Sequence, residues 1–253
     1  PPGTSRRQRQ MCIRDSAWPY LKKNKIPFVL FVSTEPVGNK GYMTWNQIKE
    51  IERSEFGVIG HHSHSHDYLI DKSEEVFLND IKTSNLIFKE KLGYVPTLFS
   101  YPFGEYSGFM RDYISQNFKI AFGQHSGIID VNKNRFELPR FPINEKYGEI
   151  KRFKSIISYY PLEYKKLEPE EKKLSKENNP PKFKVKFFDN QKNIENINCY
   201  SNEGDKWMKS NIKLVEKELT IEFREPFLPR RGRSNCSVND NGKWRWFGTQ
   251  FII

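Results

Sequence analysis

The sequence predicts an α/β fold over residues 17–160, followed by a small antiparallel β-domain over residues 181–253. The first prediction rests on short aromatic and β-branched runs that alternate with amphipathic helical segments, an order typical of parallel sheets and barrels. The second rests on a change of period, because beyond Pro180-Pro181 apolar residues alternate with lysines, as in strands with one buried face. The intervening residues 161–180 are dense in Lys, Glu and Pro and are interpreted as a linker or a solvated helix.

Composition limits the classes of function that are compatible with this chain. With 36% apolar and 15% aromatic residues, the chain can bury a core, which excludes global disorder. The net charge of +11 is compatible with nucleic-acid binding. However, the basic residues are interspersed with acidic ones, so no nucleic-acid partner is expected. A lysine-rich solvated surface is favoured, with an acidic-glycan environment as the alternative. No run of 18 apolar residues occurs, so no integral membrane segment is expected.

The first sixteen residues do not resemble the rest of the chain. They show no hydrophobic period, and the run RQRQMCIRDS resembles translated sequencing-adaptor sequence. We therefore interpret residues 1–16, with Cys12 and Asp15, as a non-native or disordered segment and exclude them from the fold prediction. We expect the native N-terminus, and any signal peptide, to be missing.

Strand and helix signals alternate from residue 17, where the tail of a helix is expected. Thr44 is a predicted N-cap for a helix through Ile51, and Ser73 for a longer helix that ends at Gly93. A further short helix is expected around residues 109–114. The predicted strands are residues 28–32, 57–60, 97–101, 120–122 and 136–141.

Four of the five histidines lie between residues 61 and 66, directly after the predicted strand 57–60. A loose tract that binds metals weakly is one interpretation. The other is a built site in which neutral imidazoles bind an ion such as Zn²⁺. His62 and His66 are four residues apart and can face the same way on one turn, whereas His61 and His64 cannot both join them. The carboxyl ends of strands are where α/β folds place their chemistry.

Together with this stretch, two further motifs give the chain a family resemblance. With Pro102-Phe103-Gly104 and Leu138-Pro139-Arg140, residues 17–160 resemble the polysaccharide deacetylases, the NodB-homology domains of carbohydrate esterase family 4. The resemblance implies a distorted (β/α)7 barrel, here incomplete and lacking its first strand. It also implies removal of acetyl groups from a polysaccharide with a divalent metal, commonly zinc.

The resemblance implies roles for individual residues. His62-Ser63-His64-Ser65-His66 matches the family's metal-binding motif, which makes His62 and His66 the expected ligands, with Ser63 holding the loop. The turn after the next strand matches a groove-lining motif, with Ser100 in place of the family's arginine. The backbone N–H of Phe103 is the expected oxyanion donor, and the expected substrate-binding residues are Ser100, Tyr101, Pro102 and Gly104.

Two family motifs are absent from the sequence. The Thr-Phe-Asp-Asp motif, which in the family supplies the catalytic base and the third metal ligand, does not occur. Catalytic zinc sites usually have three protein ligands, so we expect this truncated chain to be impaired. The late Leu-His motif is also missing. His125, the remaining histidine, is a candidate general acid, and a hydrogen-bonded loop histidine is the alternative.

The C-terminal region leaves three alternatives open. Cys199 and Cys236 form either a disulfide, which suits an oxidising compartment, or two separately buried thiols. Trp244 and Trp246, on one face of a predicted strand, stack on sugar rings or pack in a core. The basic loop 230–233 contacts an acidic glycan or phosphate, or is a solvated turn.

The favoured function is therefore a metal-dependent polysaccharide N-deacetylase that is periplasmic, bound to the cell envelope or secreted. A non-catalytic glycan-binding or envelope scaffold protein is the alternative. The sequence leaves the oligomeric state open.

Overall fold

The computed structural model of the chain describes residues 17–204 and 206–253, and the segment 1–16 lies outside the described residues. These residues form two compact units. The first contains residues 17–102 and 113–121, and the second contains residues 103–112 and 122–253.

The first unit is built on a four-stranded sheet with the order β1-β2-β3-β4. The strands are β1 (Phe28–Val32), β2 (Gly57–His61), β3 (Leu98–Ser100) and β4 (Ile120–Phe122). β2 pairs in parallel with both β1 and β3, which confirms the predicted α/β class. Within the described residues this sheet has four strands, so the wider barrel that the resemblance implies stays a prediction.

The helices begin and end where the sequence signals predict. They are α1 (Trp18–Lys23), α2 (Trp45–Glu52), α3 (Glu74–Leu92) and α4 (Gly108–Asn117). Thr44 caps α2 in a capping box with Gln47, and the Ser73 side chain accepts from the Val76 N–H at the start of α3. Gly93 ends α3 with a φ of 87°, a left-handed conformation that glycine adopts without steric cost.

A buried apolar cluster packs α2 and α3 against the sheet. α2 contributes Ile48 and Ile51, and α3 contributes Phe88. They pack with Leu30 of β1 and Ile59 of β2. Burying an aliphatic or aromatic side chain is worth about 1.5–3 kcal/mol, so this cluster fixes the ends of β1 and β2 relative to α3.

The second unit carries a β-sandwich. Its elements are α5 (Ile150–Ile156), β5 (Tyr160–Pro161), β6 (Lys166–Glu168), β7 (Phe183–Lys186), β8 (Asn198–Glu203), β9 (Lys206–Lys209), β10 (Asn211–Val215), β11 (Glu218–Glu222), β12 (Arg231–Asp240) and β13 (Lys243–Ile252). One sheet has the order β10-β11-β7-β6 and the other β5-β13-β12-β8-β9. The pairings are antiparallel as predicted, except that β5 lies parallel to β13.

The sandwich core joins the two sheets. Phe183, Val185 and Leu219 of the four-stranded sheet are buried in one cluster with Cys199 and Phe247 of the five-stranded sheet. Cys199 and Cys236 face each other across β8 and β12 and form a disulfide. Of the two alternatives that the sequence left open, the structure therefore contains the bridge.

Two predictions for the second unit were wrong. Residues 136–141 do not form a strand, and only Leu138 makes an isolated parallel bridge to Phe122. Pro139 lacks an N–H and cannot continue a ladder. The segment 161–180 is not a linker, because it contributes β6 to a sheet and buries Leu162 in the sandwich core. The strand was not predicted because charged residues dominate the segment, and the few apolar residues of an edge strand form no clear pattern among them.

None of the helices in the described part of the chain combines the length and the hydropathy needed to cross a bilayer.

Candidate metal centre

The histidine stretch begins inside the core of the first unit. His61 is the last residue of β2, and its ring lies among Phe88, Phe99 and Phe118 with centroid distances of 5.1, 5.3 and 5.1 Å. Burial, followed by the charge of neighbouring His62, lowers the pKa of His61 to about 3. His61 is therefore a neutral core residue.

His62 and His66 lie side by side. Their ring centroids are 4.6 Å apart and their planes meet at 83°. The Nδ1 atom of His62 lies 2.6 Å from the carbonyl oxygen of Ser100, which can only accept a hydrogen bond. Nδ1 therefore carries the proton, and Nε2 is the nitrogen with a lone pair. A ring nitrogen oriented by a backbone carbonyl on its other side is the usual arrangement of a metal-binding histidine.

The loop that carries this pair is held in an uncommon backbone conformation. Ser63 has a φ of 68° and His66 a φ of 57°, both in the left-handed region that side chains with a Cβ atom disfavour. The His66 N–H donates to the Ser63 hydroxyl at 3.1 Å, which closes the turn. Each such residue costs on the order of 1 kcal/mol or more, so surrounding contacts must hold the loop.

Helix α3 provides the strongest of these contacts. The carboxylate of Asp80 accepts from the N–H groups of His64 and Ser65 at 2.7 and 2.9 Å. The Ser84 hydroxyl, one turn further along the helix, donates to the carbonyl of Ser63 at 3.1 Å. Charge-assisted bonds to backbone N–H groups are about twice as strong as neutral ones. Asp80 therefore acts as a clamp on the loop.

The end of β1 holds the other side of the loop. The Ser33 hydroxyl donates to the carbonyl of His62 at 2.7 Å, and the Thr34 N–H donates to the carbonyl of Ser63 at 3.3 Å. The Thr34 hydroxyl also hydrogen-bonds the ring of His64 at 2.8 Å. The His64 ring is therefore held by a hydrogen bond to Thr34, whereas the rings of His62 and His66 contact each other.

Asp80 and Ser84 were not predicted as supporting residues from the sequence. Asp80 and Ser84 are buried on the face of α3 that also carries Phe77, Ile81 and Phe88. Two polar residues four positions apart on an otherwise apolar helix face were the available signal, because buried polar groups require partners.

Replacing Asp80 with alanine should lower the free energy of unfolding by about 2 kcal/mol, because two partly buried N–H groups lose their charged acceptor. Urea unfolding of the full chain, followed by circular dichroism, measures this loss. Glu90→Ala on the exposed part of the same helix is the matched control and should change stability by less than about 0.5 kcal/mol. Equal effects of the two substitutions would contradict the clamp.

The turn after β3 is divided between the two units. In the first unit Ser100 and Pro102 are buried, and Tyr101 is fully buried with its ring 5.2 Å from that of Phe99. Ser100 acts on His62 through its carbonyl group. The substrate-binding roles of these residues and of Gly104 stay predictions.

In the second unit, Phe103 and Gly104 have φ values of 57° and 72°. A Cβ atom at Gly104 would lie 2.4 Å from the backbone nitrogen of Gln124, so only glycine fits there. The Nη1 atom of Arg231 donates to the carbonyl of Phe103 at 2.7 Å, and the Gln250 amide donates to the carbonyl of Gly104. Phe103 and Gly104 are thus held by β12 and β13.

The basic loop 230–233 also has internal partners. Arg230 pairs with the buried carboxylate of Glu105 at 2.8 Å, and Arg231 approaches the same carboxylate at 3.5 Å. A solvated turn is therefore the wrong description of this segment, and its two leading arginines serve the structure of the second unit.

His125 lies in the second unit and is almost completely buried. Burial lowers its pKa to about 3, with the charges of Lys172 and Arg233 acting in the same direction. The ring is therefore neutral near pH 7, and its Nδ1 atom is buried without a hydrogen-bond partner among the described residues, so both sequence-based alternatives for His125 stay predictions. Over residues 17–204 and 206–253, no group of three or more His, Cys, Asp or Glu side chains is arranged to hold a metal.

Comparison with known proteins agrees with the family resemblance. Residues 11–117 match the family model described as polysaccharide deacetylase. The predicted resemblance to the polysaccharide deacetylases is confirmed. The match begins at residue 11, inside the segment interpreted as non-native, so that boundary stays a prediction.

A curated relative is the poly-beta-1,6-N-acetyl-D-glucosamine N-deacetylase of Staphylococcus aureus (strain MSSA476). It is 26% identical over 157 residues, which cover 56% of this chain and 54% of the relative. The chain thus spans about half the length of the curated relatives it matches.

Two solved structures share the fold. The Streptococcus pyogenes deacetylase PplD in complex with acetate has a TM-score of 0.54 and 21% identity, over 58% of this chain and 65% of that one. A polysaccharide deacetylase from Bacillus cereus has a TM-score of 0.51 and 18% identity, over 56% and 46%. The α/β fold is therefore that of deacetylases.

Proposed function

We propose that this chain carries the histidine pair of a metal-dependent polysaccharide N-deacetylase. The observation that carries the proposal is the pair itself: the His62 and His66 rings are in contact, and Ser100 orients His62 with Nε2 as the ligand atom. The substrate class is a polymer of N-acetylglucosamine, as in the name of the curated relative. The enzyme would be a hydrolase that cleaves the amide bond of the acetyl group.

The donor set fits a divalent ion of the zinc type, because two neutral imidazoles suit borderline-soft metals. When bound, such an ion supplies a Lewis acid that activates water and polarises the acetyl carbonyl. His62 and His66 would hold the ion, and Asp80 would keep their loop in place. The backbone N–H of Phe103 retains its predicted role as a donor to the oxyanion.

A third ligand and a catalytic base are also required by this chemistry. The family takes both from its Thr-Phe-Asp-Asp motif, and this sequence has no Asp-Asp pair. We therefore propose that the chain as given turns over slowly. The disulfide supports a location in the periplasm, in the cell envelope or outside the cell, because such bridges persist in oxidising compartments.

Calorimetric measurement of zinc binding distinguishes the two predicted ligands, His62 and His66, from the neighbouring His64. His62→Ala and His66→Ala should each abolish the measurable heat of binding, since each removes half of the ligand pair. His64→Ala is the matched control and should retain binding, because the His64 ring is engaged with Thr34. Equal loss in all three variants would identify a loose His-rich tract rather than a built site.

Release of acetate from N-acetylglucosamine oligomers tests the activity itself. The chain as given should release acetate at no more than a small fraction of the rate of a version extended upstream by a Thr-Phe-Asp-Asp segment. An extended version that binds zinc and releases no acetate would overturn the deacetylase and favour the glycan-binding scaffold. Rapid release by the chain as given would contradict the proposed impairment.

A further inference from the structure

The five-stranded sheet of the second unit has one face that does not enter the sandwich core. Along β8 and β12, buried residues alternate with more exposed ones, and the buried set includes the disulfide. Successive side chains on a strand point to opposite faces, and residues paired directly across strands share a face. We call the side opposite the disulfide the outer face.

Three aromatic residues on or beside this face are half exposed. Trp207 on β9 is 50% exposed, Tyr200 on β8 is 47% exposed and Trp244 on β13 is 46% exposed. The register places them on one side of the sheet, because Trp207 pairs with Asn202, Tyr200 with Asn235 and Trp244 with Asn239. Large aromatic side chains left in water on one face are a feature of binding surfaces.

Trp246 continues the same face into a cleft. It pairs with Ser237 of β12 and lies on the same side of β13 as Trp244, two residues away. Its ring is stacked with that of Tyr159, with the centroids 5.8 Å apart and the planes at 7°. The centroid of the Phe141 ring lies 5.9 Å away in an edge-on arrangement. The cleft has a volume of about 420 Å³. Its polar lining includes Ser126, Glu149, Arg152 and Asn235.

Between the aromatic rings the outer face carries amides and hydroxyls. The register places Asn198, Ser237 and Trp246 in one row across three strands, and Asn235 next to Tyr200 in the adjacent row. These side chains both donate and accept hydrogen bonds. Because neighbouring strands lie about 4.8 Å apart, the surface from β13 to β9 is roughly 14 Å wide. That width accommodates several sugar units of an extended chain.

We propose that this outer face binds a glycan, with Trp246 and Asn235 in the cleft and Tyr200 and Trp207 on the open sheet. A pyranose ring presents C–H groups on its flat faces and hydroxyl groups around its rim. It therefore stacks on aromatic rings and hydrogen-bonds to amides in the same plane. The choice of N-acetylglucosamine as the sugar rests on the proposed function, whereas the presence of a glycan site does not.

The test is calorimetric binding of N-acetylglucosamine oligomers to the full chain, without added metal. The double substitution Trp207→Ala and Tyr200→Ala should weaken binding by on the order of tenfold or more, since two stacking rings are lost. Both side chains are half exposed, so thermal unfolding should be unchanged. Quenching of tryptophan fluorescence in the unmodified chain provides a second measurement that needs no variant.

Controls separate this site from the metal centre and from other partners. Tyr20→Ala removes an exposed aromatic ring in the first unit and should leave binding unchanged. His62→Ala should also leave it unchanged, so failure of the deacetylase proposal and failure of this one are distinguishable.

Three results would overturn the proposal. One is equal affinity of the double variant and the unmodified chain for the oligomers. Another is binding only to anionic polymers, lost in high salt. The third is a change of sedimentation with no change in glycan affinity, which would identify the face as a contact between copies of this chain.

Discussion

Replacing Glu105 with alanine should lower the free energy of unfolding by about 3 kcal/mol, the low end of the cost of breaking a buried ion pair. The Glu105 side chain is 1% exposed and faces the guanidinium groups of Arg230 and Arg231. Removing the carboxylate leaves two like charges close together in a partly desolvated place. The arginines keep some contact with water, which is why the low end applies. Equilibrium urea unfolding of the full chain measures the change.

Two further variants make this result specific. Glu105→Gln keeps the shape and one acceptor oxygen but removes the charge, so its cost should fall between that of alanine and zero. Glu225→Ala, an exposed residue of the same unit, should cost less than about 0.5 kcal/mol. A loss below about 1 kcal/mol for Glu105→Ala would show that the pairing contributes little net stability.

Loss of the disulfide should destabilise the second unit by about 4 kcal/mol, the loop-closure value for 37 residues of separation. The bridge restricts the unfolded chain, and both cysteines are buried in the sandwich core. The double variant Cys199→Ala and Cys236→Ala should therefore show a markedly lower melting temperature. Thermal unfolding with and without reductant measures the effect.

The double variant also serves as the control for the reductant. Its melting temperature should not respond to dithiothreitol, whereas that of the unmodified chain should fall toward the variant's value. The unmodified chain is incubated with reductant above its unfolding transition before the measurement. If its melting temperature is still unchanged, the bridge does not contribute to stability.

Local patterns in the sequence were sufficient for the helices of the first unit and for its four strands, whereas α5 of the second unit was not predicted. Thr44, Ser73 and Gly93 act within a few residues of their own position, so their capping roles follow from sequence alone. The spacing of His62 and His66 likewise predicted that their rings would lie together. A strand was wrongly predicted at residues 136–141, because the prediction gave more weight to the apolar residues of this segment than to Pro139, which interrupts a strand.

The contacts that hold the site could not be predicted in this way. Asp80 reaches the histidine loop from 15 and 16 residues away, and Arg230 reaches Glu105 across 125 residues. No local period encodes such pairs, because they depend on which helix face or strand end the fold brings to the loop.

Taken alone, the sequence determined the alternating strands and helices of the first unit, the change to an antiparallel β-region and the two histidines expected to hold a metal. Only the tertiary structure decided that Asp80 clamps their loop, that the basic segment 230–233 faces Glu105, and that four aromatic rings share one sheet face. The physical reason is the separation of the interacting residues along the chain. Helix caps and periodicity depend on residues that are close in sequence, whereas strand register and burial depend on the packing of distant segments.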